Sequence, residues 1–161
     1  MRRWEKIEDK KVRRWEDQKV GEQNYTSYKR KGDFLDKKRN IRHFRDLEVY
    51  RRAFQAAMTI FQLTKGFPAE ERYSMVDQIR RASRSVCSNL AEAWRKRRYI
   101  AVFKNKITDS MQEASEAQCW LEFSLACEYI EQPTFDSLDR EYEEIIAMLN
   151  SIENKAEKFC F

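Results

Sequence analysis

Glycine and proline are scarce in this sequence, at three and two residues in 161. So little turn chemistry excludes a sandwich of short strands joined by tight turns and favours a few long helices. No uncharged apolar run reaches the roughly 18 residues that a spanning helix needs. The opening MRRWEKIEDKK carries charge with no apolar stretch behind it. Neither a membrane span nor a signal peptide is therefore expected, and a soluble cytoplasmic chain is the default. Histidine occurs once, as His43, which leaves almost nothing for a Ser-His-Asp or Cys-His arrangement. The Glu-x-x-His pairs of carboxylate-bridged metal bundles are absent, and isolated glycines make no phosphate loop. Glu113 and Glu116 lie within reach of Glu92 if their helices are neighbours, but such carboxylates are more often solvated or ion-paired. The four cysteines (Cys87, Cys119, Cys127, Cys160) form no CxxC pair and have no histidine nearby. They are expected reduced and mostly packed rather than on zinc, with Cys160 the one most exposed to oxidation. Neither an enzyme, nor a metal, nor a cofactor is expected.

Charge is plentiful but unevenly placed. Residues 1–40 hold 14 Lys/Arg against 8 Asp/Glu, net +6, whereas residues 41–161 hold 18 against 19, net −1. RRWE occurs twice in the first segment, at Arg2–Glu5 and Arg13–Glu16, with Trp4, Ile7, Val12 and Trp15 spaced for one side of a short helix. The segment reads as a basic extension, largely disordered or partly helical. It is either an aromatic-bearing arm that meets phosphates or a solvated tail.

Beyond residue 40 the pattern is helical, with four helices expected at about 47–64, 70–96, 99–130 and 134–157. Asp46 is placed to cap the first. In that helix Leu47, Tyr50, Phe54, Ala57 and Phe61 make one row, and Val49, Ala53, Ala56, Ile60 and Leu63 another. Together they are wider than one core requires, so burial on two sides is expected. Gly66 and Pro68 punctuate the exit. Met75, Ile79, Ala82, Val86, Leu90 and Ala93 point inward from the second helix. Ile100, Phe103, Ile107, Met111, Ala114, Leu121 and Leu125 do so from the third, which also carries Trp120, Phe123, Cys127 and Ile130 as a late second stripe. Phe135, Leu138, Tyr142, Ile145, Leu149 and Ile152 form a heptad in the fourth. Short connections make this an all-α, antiparallel up-down-up-down four-helix bundle over residues 41–161. Its surplus apolar surface on the first and third helices is expected in a homo-oligomer interface.

The second helix carries two further features. Gln78, Arg81, Ser85, Asn89 and Glu92 form a polar row beside the core. Such a row either fixes helix register and assembly through hydrogen bonds or contacts a ligand. Seven cations, Arg80, Arg81, Arg84, Arg95, Lys96, Arg97 and Arg98, fall within nineteen residues. The negative end of a helix dipole accounts for one or two of them. The remainder are candidates for phosphate contacts, multiplied by avidity in a ring-like oligomer.

FRDLEVYRRAFQAAMTIFQLTKGFPAEERYSMVDQIRRASRSVCSNLAEAW, with its F-R-D-L-x-V, F-P-x-x-E-R-Y and Q-I-R-R-A-x-x-S-V-x-S-N-L-A-E motifs beginning at Phe44, Phe67 and Gln78, resembles a known family. These are the four-helix-bundle proteins encoded in intervening sequences of bacterial 23S rRNA genes, once labelled S23 ribosomal proteins. The family includes the accessory variability determinant of diversity-generating retroelements. EAQCWLEFSLACEYI and the closing ENKAEKFCF extend the likeness to the C-terminus. The resemblance implies a homopentameric ring with a basic surface and no catalytic activity. Its implied partners are structured RNA or DNA, or a nucleic-acid enzyme such as a reverse transcriptase. Cys87 stands where many members have proline and Ala93 where many have glycine, so a straighter, continuous second helix is expected.

Two functions follow. One is a non-enzymatic oligomer binding nucleic acid through Arg80, Arg81, Arg84 and Arg95–Arg98. The other is an oligomeric scaffold for a protein partner, its cations serving solubility.

Overall fold

The computed structural model describes residues 41–161. The basic extension and its RRWE repeats lie outside the described residues. Four helices make up the described chain: α1 Glu48–Leu63, α2 Met75–Arg95, α3 Ile100–Ala126 and α4 Gln132–Asn154. Each packs on its neighbours in sequence, and α1 closes against α4.

Side-chain contacts set the register. Between α2 and α3, Ser124 Oγ meets Met75 Sδ at 3.3 Å, Ser110 Oγ donates to the Val86 carbonyl at 3.2 Å, and Lys106 Nζ donates to Asn89 Oδ1 at 3.2 Å. As one residue number falls the other rises, which makes the pair antiparallel. Gln118 with Asp139 and Glu143, and Thr108 with Glu153, do the same for α3 and α4.

The core runs the length of the bundle. Val49, Ala53, Ala56 and Ile60 of α1 meet Ile79, Ala82, Val86, Leu90 and Ala93 of α2, and Leu138, Tyr142, Ile145 and Leu149 of α4 complete it. Each large apolar side chain so enclosed contributes about 1.5–3 kcal/mol. α3 departs from the expected inward set. Its buried positions are Phe103, Ile107, Ser110, Ala114, Ala117, Leu121 and Ser124, a 4-3 repeat half made of small residues. Ile100 is exposed and Met111 and Leu125 are only half-buried. Small side chains bring α3 close enough to α2 for the Ser110 hydroxyl to reach a backbone carbonyl there, and bulkier residues are displaced to the flanks. On α1 the row of Val49, Ala53, Ala56 and Ile60 is enclosed, whereas of the other row only Leu47 and Ala57 are. In the other, Phe54 remains 52% exposed, with Tyr50 and Phe61 half-buried and Met58 beside them. α2 is continuous through Cys87 and Ala93. Tyr142 lies fully inside, and its hydroxyl is the one enclosed side-chain polar atom without a hydrogen-bond partner among the described residues.

Helix ends differ from expectation for local reasons. Asp46 does not cap α1. It belongs to a 3-10 turn, Phe44–Asp46, where its carboxylate accepts the Arg42 and His43 N–H groups at 3.0 and 2.8 Å while His43 Nδ1 accepts from Arg45 N. Residues Ala69–Tyr73, expected as the first turn of α2, are also 3-10. Glu71 there accepts the Ser74 hydroxyl, the Met75 N–H at 3.3 Å and the Tyr129 hydroxyl at 3.1 Å, and so starts α2 while tying it to the α3–α4 connection. α3 stops at Ala126 rather than near 130. Tyr129 N donates to Ser124 O and Glu128 N to Leu125 O, a Schellman closure whose left-handed residue is Glu128 at φ 59°. α4 gives way to a 3-10 turn, Ala156–Lys158, instead of running to 157. The cysteines also depart from expectation. Cys119 and Cys127 are exposed, Cys160 is half-covered because the C-terminal turn folds onto Phe103, and Cys87 is embedded beside Tyr142. Burial pushes the Cys87 thiol up to about 12, so it stays protonated.

Two outcomes test this packing. Glu128→Gly relieves a left-handed side chain and is expected to raise unfolding free energy by about 1 kcal/mol, read from the urea midpoint at unchanged m-value. Ala114→Leu, on the small-residue side of α3, is expected to cost about 1–3 kcal/mol by overpacking; an unchanged midpoint would mean the helices have room there.

Candidate functional site

The polar row and the cations both lie on α2 and the turn after it, and the structure gives them different tasks. Asn89 is buried and Glu92 exposed, and both face α3. Lys106 of α3 joins them: its ammonium donates to Asn89 Oδ1 at 3.2 Å and pairs with Glu92 at 3.0 Å and Asp109 at 3.1 Å. Glu92 and Asp109 raise the Lys106 pKa, as two carboxylates around one ammonium should. Glu113, near Asp109 and Glu116, is held above the usual carboxylate range chiefly by burial. Gln78 and Ser85 are half-buried, and no side-chain hydrogen bond to α3 is formed by either. The row is thus an α2–α3 tie in its C-terminal half.

The cations divide further. Arg80 lies across the end of α1. Its Nε donates to Thr64 Oγ1 at 2.7 Å, Thr64 Oγ1 in turn donates to the Ile60 carbonyl at 2.8 Å, and the guanidinium stands 4.9 Å from the Phe61 ring centre. A cation at a helix C-terminus complements its dipole, so Arg80 has a structural position. Burial, then the neighbouring Arg84, lowers its pKa. Arg81 pairs with Asp77 one turn back at 2.7 Å, an exposed bond worth a few tenths of a kcal/mol. Arg97 bonds the Trp94 carbonyl at 2.9 Å and stacks at 3.5 Å from the Trp94 ring centre, with the Phe161 ring 5.2 Å away on the C-terminal segment. Burial lowers its pKa as well.

Arg84, Arg95, Lys96 and Arg98 remain. All four are exposed, and among the described residues no carboxylate pairs with any of them. Arg84 and Arg95 are eleven residues apart, about three turns, and so share the outward side of α2 roughly 16 Å apart. Lys96 and Arg98 follow in the turn to α3. Two features were not legible as site elements. Lys65, just past α1, approaches the Phe61 ring to 4.8 Å. The outward row of α1 supplies aromatic surface beside Arg80 and Arg84. The first is a local contact four residues apart, whereas the second depends on how α1 and α2 face each other, which periodicity within one helix does not give.

Among the described residues no group of His, Cys, Asp or Glu is placed to hold a metal, and no helix is long and apolar enough to cross a membrane. His43, through Nδ1, is engaged in the turn before α1.

Comparison with known proteins bears on the same residues. The family model described as 23S rRNA-intervening sequence protein matches residues 45–151. A solved structure, a protein with unknown function from the S23 ribosomal protein family of Bacteroides thetaiotaomicron VPI-5482, is 31% identical with a TM-score of 0.60, the match covering 66% of this chain and 95% of that one. No curated protein matches.

The Lys106 junction is expected to act on stability. Lys106→Met should lower the urea midpoint of unfolding, since Asn89 loses its partner and Glu92 and Asp109 are left facing each other. A variant as stable as the parent in urea would remove the architectural role of the row.

Proposed function

Since this chain belongs to the 23S rRNA-intervening sequence protein family, we propose that it is a non-enzymatic, cytoplasmic homo-oligomer that binds structured RNA or DNA through the outward side of α2 and the turn that follows. The observation that carries this reading is the set of four exposed cations, Arg84, Arg95, Lys96 and Arg98, that the fold leaves without carboxylate partners among the described residues. Ion pairing would be the ordinary fate of surface arginines on a bundle this rich in glutamate. Their availability supports contact with phosphate, which brings affinity without reading bases. The single histidine, occupied in a turn, supports a non-enzymatic role.

Oligomerisation, with a pentameric ring as the expected form, is supported by the apolar side chains left outside the core. Phe54 and Met58 of α1, beside Tyr50 and Phe61, and Phe123 of α3 remain substantially exposed. Repeating the α2 cations around a ring would multiply weak phosphate contacts into useful avidity. The same apolar row favours a second reading, an oligomeric scaffold that docks a protein partner such as a reverse transcriptase, with no nucleic-acid binding of its own.

Binding of a structured RNA across a salt series separates the two. The full chain and a chain beginning at Asn40 are both expected to bind. Arg95→Ala/Arg98→Ala should weaken binding and flatten the log K against log salt slope by about 1 per cation removed. Binding by the full chain alone would move the contact to residues 1–40. No binding by either at moderate salt would favour the scaffold.

A further inference from the structure

The end of α1 gathers more positive charge than its own structure uses. Around the half-buried Phe61 ring stand Lys65 Nζ at 4.8 Å, Arg80 Cζ at 4.9 Å and Arg84 Cζ at 5.6 Å. These distances bound the Lys65–Arg84 separation at 10.4 Å, the sum of 4.8 and 5.6 Å. Screening at physiological salt acts over about 8 Å, so one small anion would feel all three charges. A helix C-terminus presents the equivalent of about half a negative charge, and Arg80 already answers it through Thr64 Oγ1 and the Phe61 carbonyl. Lys65 and Arg84 have no such task. Both are exposed, and among the described residues neither meets a carboxylate. A ring face compensates a cation by about 0.5–1 kcal/mol at exposed sites, far less than an ionic partner.

We propose that Lys65 and Arg84, both drawn to the Phe61 ring that Arg80 also approaches, form a seat for a phosphoryl group, either a nucleic-acid phosphate or a free polyphosphate. Arg84 supplies the planar fork that matches two phosphoryl oxygens and Lys65 a mobile point charge. Arg80 is a positioning residue: fixed to α1, it adds field without leaving its hydrogen bonds. The half-buried Phe61 ring is the contact that the three cations share. The seat goes beyond the RNA-binding reading, since Lys65 lies outside α2 and a small anion can test it alone.

Inorganic pyrophosphate is the probe, added to the full chain, with sodium chloride at equal ionic strength as the reference. Pyrophosphate is expected to raise the melting temperature beyond chloride, as a ligand of the folded state must. In Lys65→Ala/Arg84→Ala that increment is expected to vanish and the calorimetric affinity to fall roughly tenfold or more. Arg140→Ala/Lys158→Ala, which removes as much charge from α4 and the turn beyond it, is expected to keep both. Both positions of the first pair are exposed, so circular dichroism should show the same helix content throughout. An increment that chloride reproduces, or that survives Lys65→Ala/Arg84→Ala, overturns the seat. Structured RNA assayed on the same proteins keeps the two ideas apart. RNA binding without a pyrophosphate increment sinks the seat and leaves the RNA reading standing. A lost increment in the double variant, with no RNA binding by the parent, upholds the seat for free polyphosphate and sinks the RNA reading.

Discussion

The close approach of α2 and α3 is the constraint on which the rest of the bundle depends. Ser110, Ala114, Ala117 and Ser124 occupy buried positions of α3, whereas α4 buries leucine, isoleucine and tyrosine. A backbone separation small enough for Ser110 to bond the Val86 carbonyl leaves no volume for larger groups. Met111, Leu125 and Trp120 are therefore pushed to half-covered flanks, and Phe123 reaches solvent. The same closeness brings Lys106 under Asn89 and Glu92, so the seam ends in a charged tie rather than an apolar one. Once α2 commits one side to α3 and another to α1, Arg81, Arg84 and Arg95 have only the outward side left.

Much of this fold was legible in the chain itself. Scarce glycine and proline, four stretches at helical spacing and short connections suffice for a bundle, and the α4 heptad is inward as the spacing implies, with Phe135 and Ile152 at its half-covered ends. What was not legible was decided by contacts between helices. Ser110 and Ala117 carry no apolar signal strong enough to mark a core position, and the larger Met111 and Leu125 beside them draw the assignment away. Asp46 and Glu71 have the composition of helix starts. Whether a carboxylate caps an α-helix or a 3-10 turn depends on where the chain must turn to reach the core. Glu128 gives no warning of a left-handed closure, which glycine usually marks.

The candidate site divides along the same line. Spacing alone puts seven cations in one cluster, yet Arg80 and Arg97 each lie on a carbonyl and an aromatic ring, and Arg81 on Asp77. These are partners contributed by α1, by the C-terminal segment and by one turn of α2. Conversely Asn89, which reads as a possible ligand contact, is buried against α3. Residues that look alike in the sequence are thus separated by what the fold places beside them.

The most direct test of this division is a paired scan of α2 and the turn after it, in which each polar residue is replaced by alanine and every variant is measured both for urea stability and for affinity to one structured RNA. The account predicts two separate groups. Asn89 and Glu92 variants lose stability with affinity retained, whereas Arg84, Arg95 and Arg98 variants lose affinity at unchanged stability. A scan in which affinity falls only where stability falls would contradict it, because the outward cations would then have no task of their own.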